Sequence, residues 1–178
     1  MTSSKYPLRM RAAMACRIVN LDRVKFNDAV AKGLYPCAPG TMSGSARIFT
    51  EEQLLPLFFF ARLSEFGVHA SKAGKLACEM ASVASQSLAE PATRIIYVHG
   101  TFSSGFFTPN LIKDPATGEV REAYDPEHET PNEKNPTGIA YPGNGRTLFT
   151  VEFYIKHVRE LIADRIAQEI SIIGEEEE

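Results

Sequence analysis

The sequence predicts an α+β protein, with a helical first half, a strand-rich second half and an amphipathic helix at the end. Residues 11–88 carry apolar side chains at helical spacing between cap residues, whereas residues 94–154 contain short apolar runs separated by turn residues. Of the 178 residues, 44% are hydrophobic and 23% are charged, so the chain can bury a core and does not belong to the intrinsically disordered class.

The first predicted elements are two short helices over residues 11–20 and 23–32. Asp22 precedes the second helix, where its carboxylate can accept an N–H of the first turn. The predicted inner face of this helix consists of Val24, Phe26 and Val30. Gly33 is expected to end the helix, because glycine readily adopts the left-handed backbone found at helix ends.

A turn-rich loop over residues 36–46 connects the second helix to a short predicted strand over residues 47–49. Thr50 and Gln53 then form a predicted capping box, in which each side chain bonds to the backbone N–H of the other residue. This pattern predicts that the next helix begins directly after the strand.

The helix over residues 54–66 is the predicted core helix, because large apolar residues recur along it at helical spacing. Pro56 is a mild misfit in this helix, since proline removes one backbone hydrogen bond. Gly67 is expected to end it, and a further helix is predicted over residues 71–88.

The second half of the chain is predicted to contain short strands. These strands cover residues 94–99, 106–112, 119–124 and 148–154. The middle two flank a turn over residues 114–118 and are expected to pair as a hairpin. Residues 125–146 are dense in Pro, Asn, Glu and Gly and are expected to form a long mobile loop.

The last helix is predicted to run to about residue 170 with one apolar face, which requires a partner surface. The residues of this face are Val158, Leu161, Ile162, Ile166 and Ile170. The predicted domains are residues 1–90 and an α+β module over residues 91–174 for dimerisation or sensing, followed by an acidic tail over residues 175–178.

The charge is distributed unevenly. Residues 1–47 carry eight basic and two acidic residues, a net charge of +6, whereas the remainder carries a net charge of −9. A basic segment of this kind is typical of a protein that binds a polyanion.

The three cysteines, Cys16, Cys37 and Cys78, are odd in number and show no metal-ligand spacing. They indicate buried thiols in a reduced, cytoplasmic protein without a disulfide framework. No apolar stretch is long enough to span a membrane, and basic residues interrupt the N-terminal segment, so neither a membrane partner nor a signal peptide is expected.

Four segments in order resemble the DNA-binding domain of the MerR family of transcriptional regulators. They are Gly33-Leu34-Tyr35-Pro36, the glycine-to-aromatic stretch over residues 44–50, the acidic helix start over 51–54, and residues 62–67, which end in Gly67. The resemblance is carried by residues 20–67 and extends loosely over about 10–88. It implies a winged helix-turn-helix whose second helix enters the major groove of double-stranded DNA.

The resemblance and the residue types together identify candidate DNA-binding residues, since Arg and Asn contact base edges and basic side chains neutralise phosphates. The candidates are Arg17, Arg23, Lys25, Asn27, Lys32 and Arg47. The sequence departs from the family at Asn27-Asp28-Ala29, where many members carry an Arg-Tyr-Tyr run, and Asp28 would repel phosphate. No cofactor is expected. The predicted function is a homodimeric regulator of transcription that binds an operator and responds to an unknown small-molecule or protein effector.

The sequence leaves two alternative functions open. A phage-type DNA-packaging or excisionase-like adaptor could use the same winged helix for architectural DNA binding or protein binding. An enzyme is disfavoured: residues 97–104 look like the oxyanion segment of α/β-hydrolases, but no Gly-x-Ser-x-Gly elbow is present and the chain after His99 is too short for that fold. His99, His128 and His157 are scattered without metal-ligand spacing, so no metal site is expected.

Overall fold

The computed structural model describes residues 8–42, 45–86, 94–101, 104–108, 111–113, 120–122 and 147–175. The chain divides into two compact units. The helical unit comprises residues 1–88 together with 156–178, and the sheet unit comprises residues 89–155. The presence of helices and small antiparallel sheets confirms the predicted α+β class.

The helices of the helical unit and the short strand β2 follow the predicted order closely, whereas the strand β1 was not predicted. Their bounds are β1 Met10–Arg11, α1 Ala12–Val19, α2 Arg23–Ala31, β2 Ile48–Phe49, a 3-10 turn Glu51–Gln53, α3 Leu54–Glu65, α4 Ala70–Gln86 and α5 Ile155–Glu175. Strands β1 and β2 pair antiparallel, which places Met10 opposite Phe49. None of the helices within the described ranges is long and apolar enough to cross a membrane.

Helix α3 is the core of the helical unit, as the sequence predicted. Every residue from Leu54 to Leu63 except Arg62 is buried, and the helix packs against α1 and α4. Pro56 is not a misfit, because it lies within the first four residues of α3, whose backbone N–H groups have no partner inside the helix. Gln53 accepts the backbone N–H of Thr50 at 2.9 Å, which confirms the predicted capping box.

An aromatic cluster joins α2, the following loop, β2 and α3. The Phe26 ring contacts Tyr35 and Phe49 at centroid distances of 5.9 and 5.7 Å, and Tyr35 contacts Phe60 at 5.1 Å. All four side chains are buried. Buried aromatic pairs of this kind contribute about 1 kcal/mol each beyond the burial of area, so the cluster fixes the orientation of α2.

Helix α5, after its first residue, belongs to the helical unit. The predicted domains place this helix with residues 91–174, whereas the structure groups it with residues 1–88. Its buried stripe is narrower than predicted: Val158, Ile162 and Ile166 are buried, whereas Leu161 and Ile170 are exposed. The buried residues recur every four positions and form one row along the helix.

Two arginines hold the C-terminal end of α1. Arg165 of α5 donates to the carbonyl of Ile18 at 2.9 Å, and Arg62 of α3 donates to that of Val19 at 2.9 Å. The last carbonyls of a helix have no partner inside it and carry the negative end of the helix dipole, so cations are favoured there. These contacts attach α3 and α5 to the end of α1 that precedes α2.

The sheet unit contains a three-stranded antiparallel sheet and a separate two-stranded ribbon. The sheet has the order β4 (Ser104–Phe107), β3 (Arg94–Gly100), β7 (Thr147–Tyr154), and the ribbon pairs β5 (Leu111–Lys113) with β6 (Val120–Glu122). The predicted hairpin is therefore present, but Phe106 and Phe107 of its predicted first strand belong to β4 and pair with β3 instead. The predicted loop over 125–146 and the residues of the predicted tail after Glu175 lie outside the described part of the chain.

Candidate nucleic-acid interface

Helix α2 carries three of the six predicted DNA-binding residues, and both of its ends are fixed by local signals. The Asp22 carboxylate accepts the backbone N–H of Lys25 at 2.9 Å, which confirms the predicted cap. At the other end Gly33 has φ +67°, and Leu34 donates to the carbonyl of Ala29 at 2.8 Å. This is the Schellman arrangement, in which a left-handed residue closes the helix.

The inner face of α2 differs from the predicted one. Phe26 and Ala29 are buried and Val30 is half-buried, but Val24 is 75% exposed. The prediction for Val24 is therefore wrong. Since the aromatic cluster holds Phe26, and 3.6 residues complete one turn, Val24 is rotated far from the core.

The outward face of α2 has a centre of two apolar residues, one amide and one carboxylate, with basic residues on both sides. The helical repeat places Val24, Asn27, Asp28 and Ala31 in the middle of this face. Arg23 lies on one side, and Lys25 and Lys32 lie on the other; all three are exposed. Within the described residues, the side chains of Arg23 and Lys25 make no hydrogen bond or ion pair, so both can reach a ligand.

Asp28 and Lys32 pair with each other. The Lys32 ammonium lies 2.8 Å from the Asp28 carboxylate, one helical turn away, and both groups are more than half exposed. An exposed pair of this kind contributes little to stability. The pair places the Lys32 ammonium beside the Asp28 carboxylate, the one carboxylate of this face. The ammonium offsets part of the repulsion between this carboxylate and a phosphate.

Arg17 and Arg47 are placed differently from the residues of α2. The Arg17 guanidinium on α1 binds the Glu169 carboxylate of α5 through two nitrogens, with its closest contact at 2.7 Å. Arg47, directly before β2, is half-buried and donates to the carbonyl of Pro39 in the loop after α2. No sequence pattern indicates Glu169 as the partner, because 152 positions separate it from Arg17.

The loop after α2 lies against α4 at Gly74. A Cβ atom on Gly74 would overlap the carbonyl oxygen of Leu34 and would lie 2.9 Å from its carbonyl carbon and 3.1 Å from the Cα of Tyr35. Glycine is therefore required at this position, since any side chain would collide with backbone.

The structure joins Cys37 and Cys78 in a disulfide bond, so the prediction of three reduced cysteines is wrong for this pair. Their Cα atoms are 5.8 Å apart, within the usual range for a disulfide. The two residues meet because the loop lies on α4, a long-range contact that their 41-residue separation does not reveal. The predicted cytoplasmic location was argued partly from reduced cysteines, so it loses that argument and stays a prediction.

Cys16 is the free cysteine and lies in the core. Burial raises the pKa of its thiol from 9.0 to about 11. We expect alkylation of Cys16 by iodoacetamide near pH 8 to be at least about 100-fold slower in the folded chain than in the unfolded chain, because the thiolate is the reacting form. Mass spectrometry after timed quenching measures both rates, and equal rates would contradict the burial of Cys16.

The same shift predicts a pH effect on stability. The folded chain holds the Cys16 proton more tightly than the unfolded chain, so this contribution to the free energy of unfolding is full below pH 9.0 and declines as the pH rises to about 11. A Cys16→Ala variant should show a smaller decline in thermal stability across the same pH range; part of the decline remains, because burial also raises the pKa of Tyr35 above its ordinary value.

The histidines at positions 99, 128 and 157 do not form a metal site within the described residues. In the sheet unit the Tyr97 hydroxyl lies 2.8 Å from Nδ1 of His99, and the His99 ring stacks on Phe149 at a centroid distance of 4.8 Å. His157 is exposed on α5, and His128 lies outside the described residues. Among the residues that the structure describes, no group of three His, Cys, Asp or Glu side chains could hold a metal ion.

Comparison with models of known protein families and with curated proteins gave no match to this chain.

Proposed function

We propose that the chain is a sequence-specific DNA-binding regulator of transcription, with a MerR-like winged helix-turn-helix in its helical unit, and that it binds its operator as a homodimer. The observation that carries the proposal is the outward face of α2. This face carries exposed cations on both sides of a centre whose single carboxylate, Asp28, is paired with Lys32, while the aromatic cluster anchors the opposite side of the helix.

Each part of this face suits a different part of a DNA duplex. Arg23 and Asn27 can form paired hydrogen bonds with guanine and adenine edges in the major groove. Val24 is apolar and exposed. An apolar side chain on a helix face that enters the major groove can contact the methyl group of thymine. Lys25 and Lys32 are placed on one side of the helix, where they can neutralise phosphates.

The strand pair β1–β2 supports a second point of contact. In the proposed winged helix, Arg47 lies at the start of the wing and contacts the DNA backbone or the minor groove. Arg17 is bound to Glu169, so in this proposal it contacts DNA only if that ion pair opens. The sheet unit is proposed to serve dimerisation or the sensing of an effector.

The test is a salt series of binding between the purified chain and a pool of random duplex DNA, followed by sequencing of the retained duplexes. We expect an enriched palindrome and an affinity that falls steeply with salt, because cation–phosphate contacts release counterions. Absence of enrichment together with salt-independent binding would contradict the regulator. Weak binding without sequence preference by a higher oligomer would instead favour the adaptor.

The residues of α2 give a more specific prediction. Arg23→Ala is expected to weaken binding to the enriched duplex about tenfold and to relax the base preference at one position. Lys25→Ala is expected to weaken binding to all duplexes alike and to lower the salt slope by about one. Fluorescence anisotropy at several salt concentrations measures both effects.

Lys75→Ala on α4 is the matched control, because Lys75 is exposed and lies 4.0 Å from Glu79 in a weak ion pair. The control should bind as the unaltered chain does. Equal losses of DNA affinity in the Arg23, Lys25 and Lys75 variants would indicate a general effect of charge rather than recognition by α2.

A further inference from the structure

The loop between α2 and β2 is attached to α4 at two points that are one helical turn apart. The backbone of Leu34 and Tyr35 lies directly on Gly74, and Cys37 is bonded to Cys78, four residues further along α4. The backbone N–H of Cys37 also donates to the Cys78 sulfur at 3.2 Å. Because Gly74 and Cys78 lie on the same side of the helix, the bond holds the loop flat against it.

The covalent attachment has a direct consequence for Arg47. Pro39 lies two residues after Cys37, and its carbonyl accepts the hydrogen bond of the Arg47 guanidinium. Tyr35, in contrast, is buried in the aromatic cluster and does not depend on the bond for its position. Opening the bond would therefore free the loop after Tyr35, while the core of the unit stays packed.

We propose that Cys37–Cys78 is a reversible thiol-exchange site, at which low-molecular-mass thiols open the bond, release residues 36–40 from α4 and thereby change the placement of Arg47. The effect on DNA affinity rests on the proposed function, whereas the effect on the loop does not.

The exchange proceeds in two steps that balance. The thiolate of a small thiol, RS⁻, attacks the Cys37 sulfur, which forms a mixed disulfide Cys37–S–S–R and releases Cys78 as a thiolate. The N–H of Cys37, already donated to the Cys78 sulfur, stabilises that thiolate as it leaves. A second RS⁻ attacks the R sulfur, which gives RSSR and the Cys37 thiolate, and each released thiolate then takes a proton from water.

The exchange is selective for this pair. Both residues of the bond are half-buried rather than fully buried, which distinguishes them from the buried Cys16. Cys16 is buried in the core, and the raised pKa of its thiol keeps it protonated, so it does not compete in the exchange.

The experiment compares the full chain after treatment with oxidised glutathione and after treatment with dithiothreitol. Alkylation after unfolding, read by intact mass, should find one thiol in the oxidised chain and three in the reduced chain. Reduction should speed hydrogen exchange over residues 36–40 and lower the melting temperature by about 10 °C, since the bond closes a loop of 41 residues. It should also weaken binding to random duplex DNA about tenfold, and reoxidation should restore all three properties.

Two variants sharpen the comparison. The double variant Cys37→Ser with Cys78→Ser should behave as the reduced chain does, whichever reagent is used. The Cys16→Ser variant should still change its hydrogen exchange, melting temperature and DNA binding on reduction. Equal hydrogen exchange over residues 36–40 in both redox states, or failure of the bond to form in oxidised glutathione, would overturn the inference. If neither redox form binds the duplex, the proposed function fails. The redox inference is then decided by the other two measurements, which are hydrogen exchange over residues 36–40 and the melting temperature.

Discussion

Replacing Gly74 with alanine is expected to lower the free energy of unfolding by about 3 kcal/mol or more. The added Cβ would overlap the carbonyl oxygen of Leu34 and crowd the Cα of Tyr35, and both of these are backbone atoms. Backbone cannot rotate away as a side-chain end can, so the loop must leave α4 or the helix must shift. For a chain of this size the melting temperature should fall by roughly 10 °C.

The direction of this prediction opposes the intrinsic preference of the helix. In the interior of an exposed helix, glycine to alanine stabilises by about 1 kcal/mol. Gly40→Ala is the matched control, because apart from its chain neighbours no atom of the described residues lies within 4 Å of the added Cβ. The free energy of unfolding of this variant should change by less than about 0.5 kcal/mol. An increase in stability for Gly74→Ala would mean that the loop does not lie on α4.

The rate of disulfide formation distinguishes the attachment of the loop at Gly74 from its attachment at Cys78. If Gly74→Ala displaces Leu34 and Tyr35, Cys37 should form its bond with Cys78 more slowly in oxidised glutathione. Normal bond formation in a destabilised variant would indicate that the loop is held mainly at Cys37.

The bounds of the elements could be predicted where the determining residues are close in sequence. Asp22 caps α2 and lies three residues from its partner N–H, and Gly33 ends the same helix within one turn. Gln53 likewise reaches back three residues to Thr50. Each of these signals depends on a few adjacent residues, so the sequence alone was sufficient.

The orientation of α2 could be predicted only in part. The sequence identified Phe26 as an inner residue and Arg23, Lys25 and Asn27 as outer residues, and the structure agrees with these placements. Val24 was assigned to the wrong side because, in a helix of nine residues, apolar side chains fall on two possible stripes. The contacts of Phe26 with Tyr35 and Phe49, which lie in separate segments, determine which of the two stripes faces the core.

The long-range contacts of the candidate site could not be predicted at all. Arg17 pairs with Glu169, and Cys37 bonds to Cys78, only because α5 and the loop after α2 fold onto the helical unit. A single sequence contains no periodicity that relates such positions. These contacts nevertheless determine which of the predicted DNA-binding residues are already engaged, since Arg17 is bound in an ion pair, whereas Arg23 forms none with any residue that the structure describes.

Replacing Arg62 with methionine is expected to lower the free energy of unfolding by about 2 kcal/mol, although methionine retains most of the apolar volume. The guanidinium donates to the carbonyl of Val19, lies 2.7 Å from the Glu65 carboxylate and covers the Phe58 ring at 5.4 Å. Removing it leaves a partly buried helix-end carbonyl without this donor, which is the larger part of the cost. Arg165 still holds the neighbouring carbonyl of Ile18, so α1 should loosen at its end rather than unfold.

The position of this loosening makes the prediction specific. Residues 20–22 connect α1 to α2, and the carbonyl of Asn20 also lies 3.4 Å from the Arg62 guanidinium. Hydrogen exchange of these residues should therefore speed up more than that of α4, and α2 should lose part of its fixed angle to α1. Lys75→Met, which removes an exposed cation from α4, is the matched control and should leave both stability and exchange unchanged. Equal destabilisation by the two variants would indicate that Arg62 acts through net charge alone, and would exclude a specific role for its bonds to Val19 and Asn20 in holding the connection between α1 and α2.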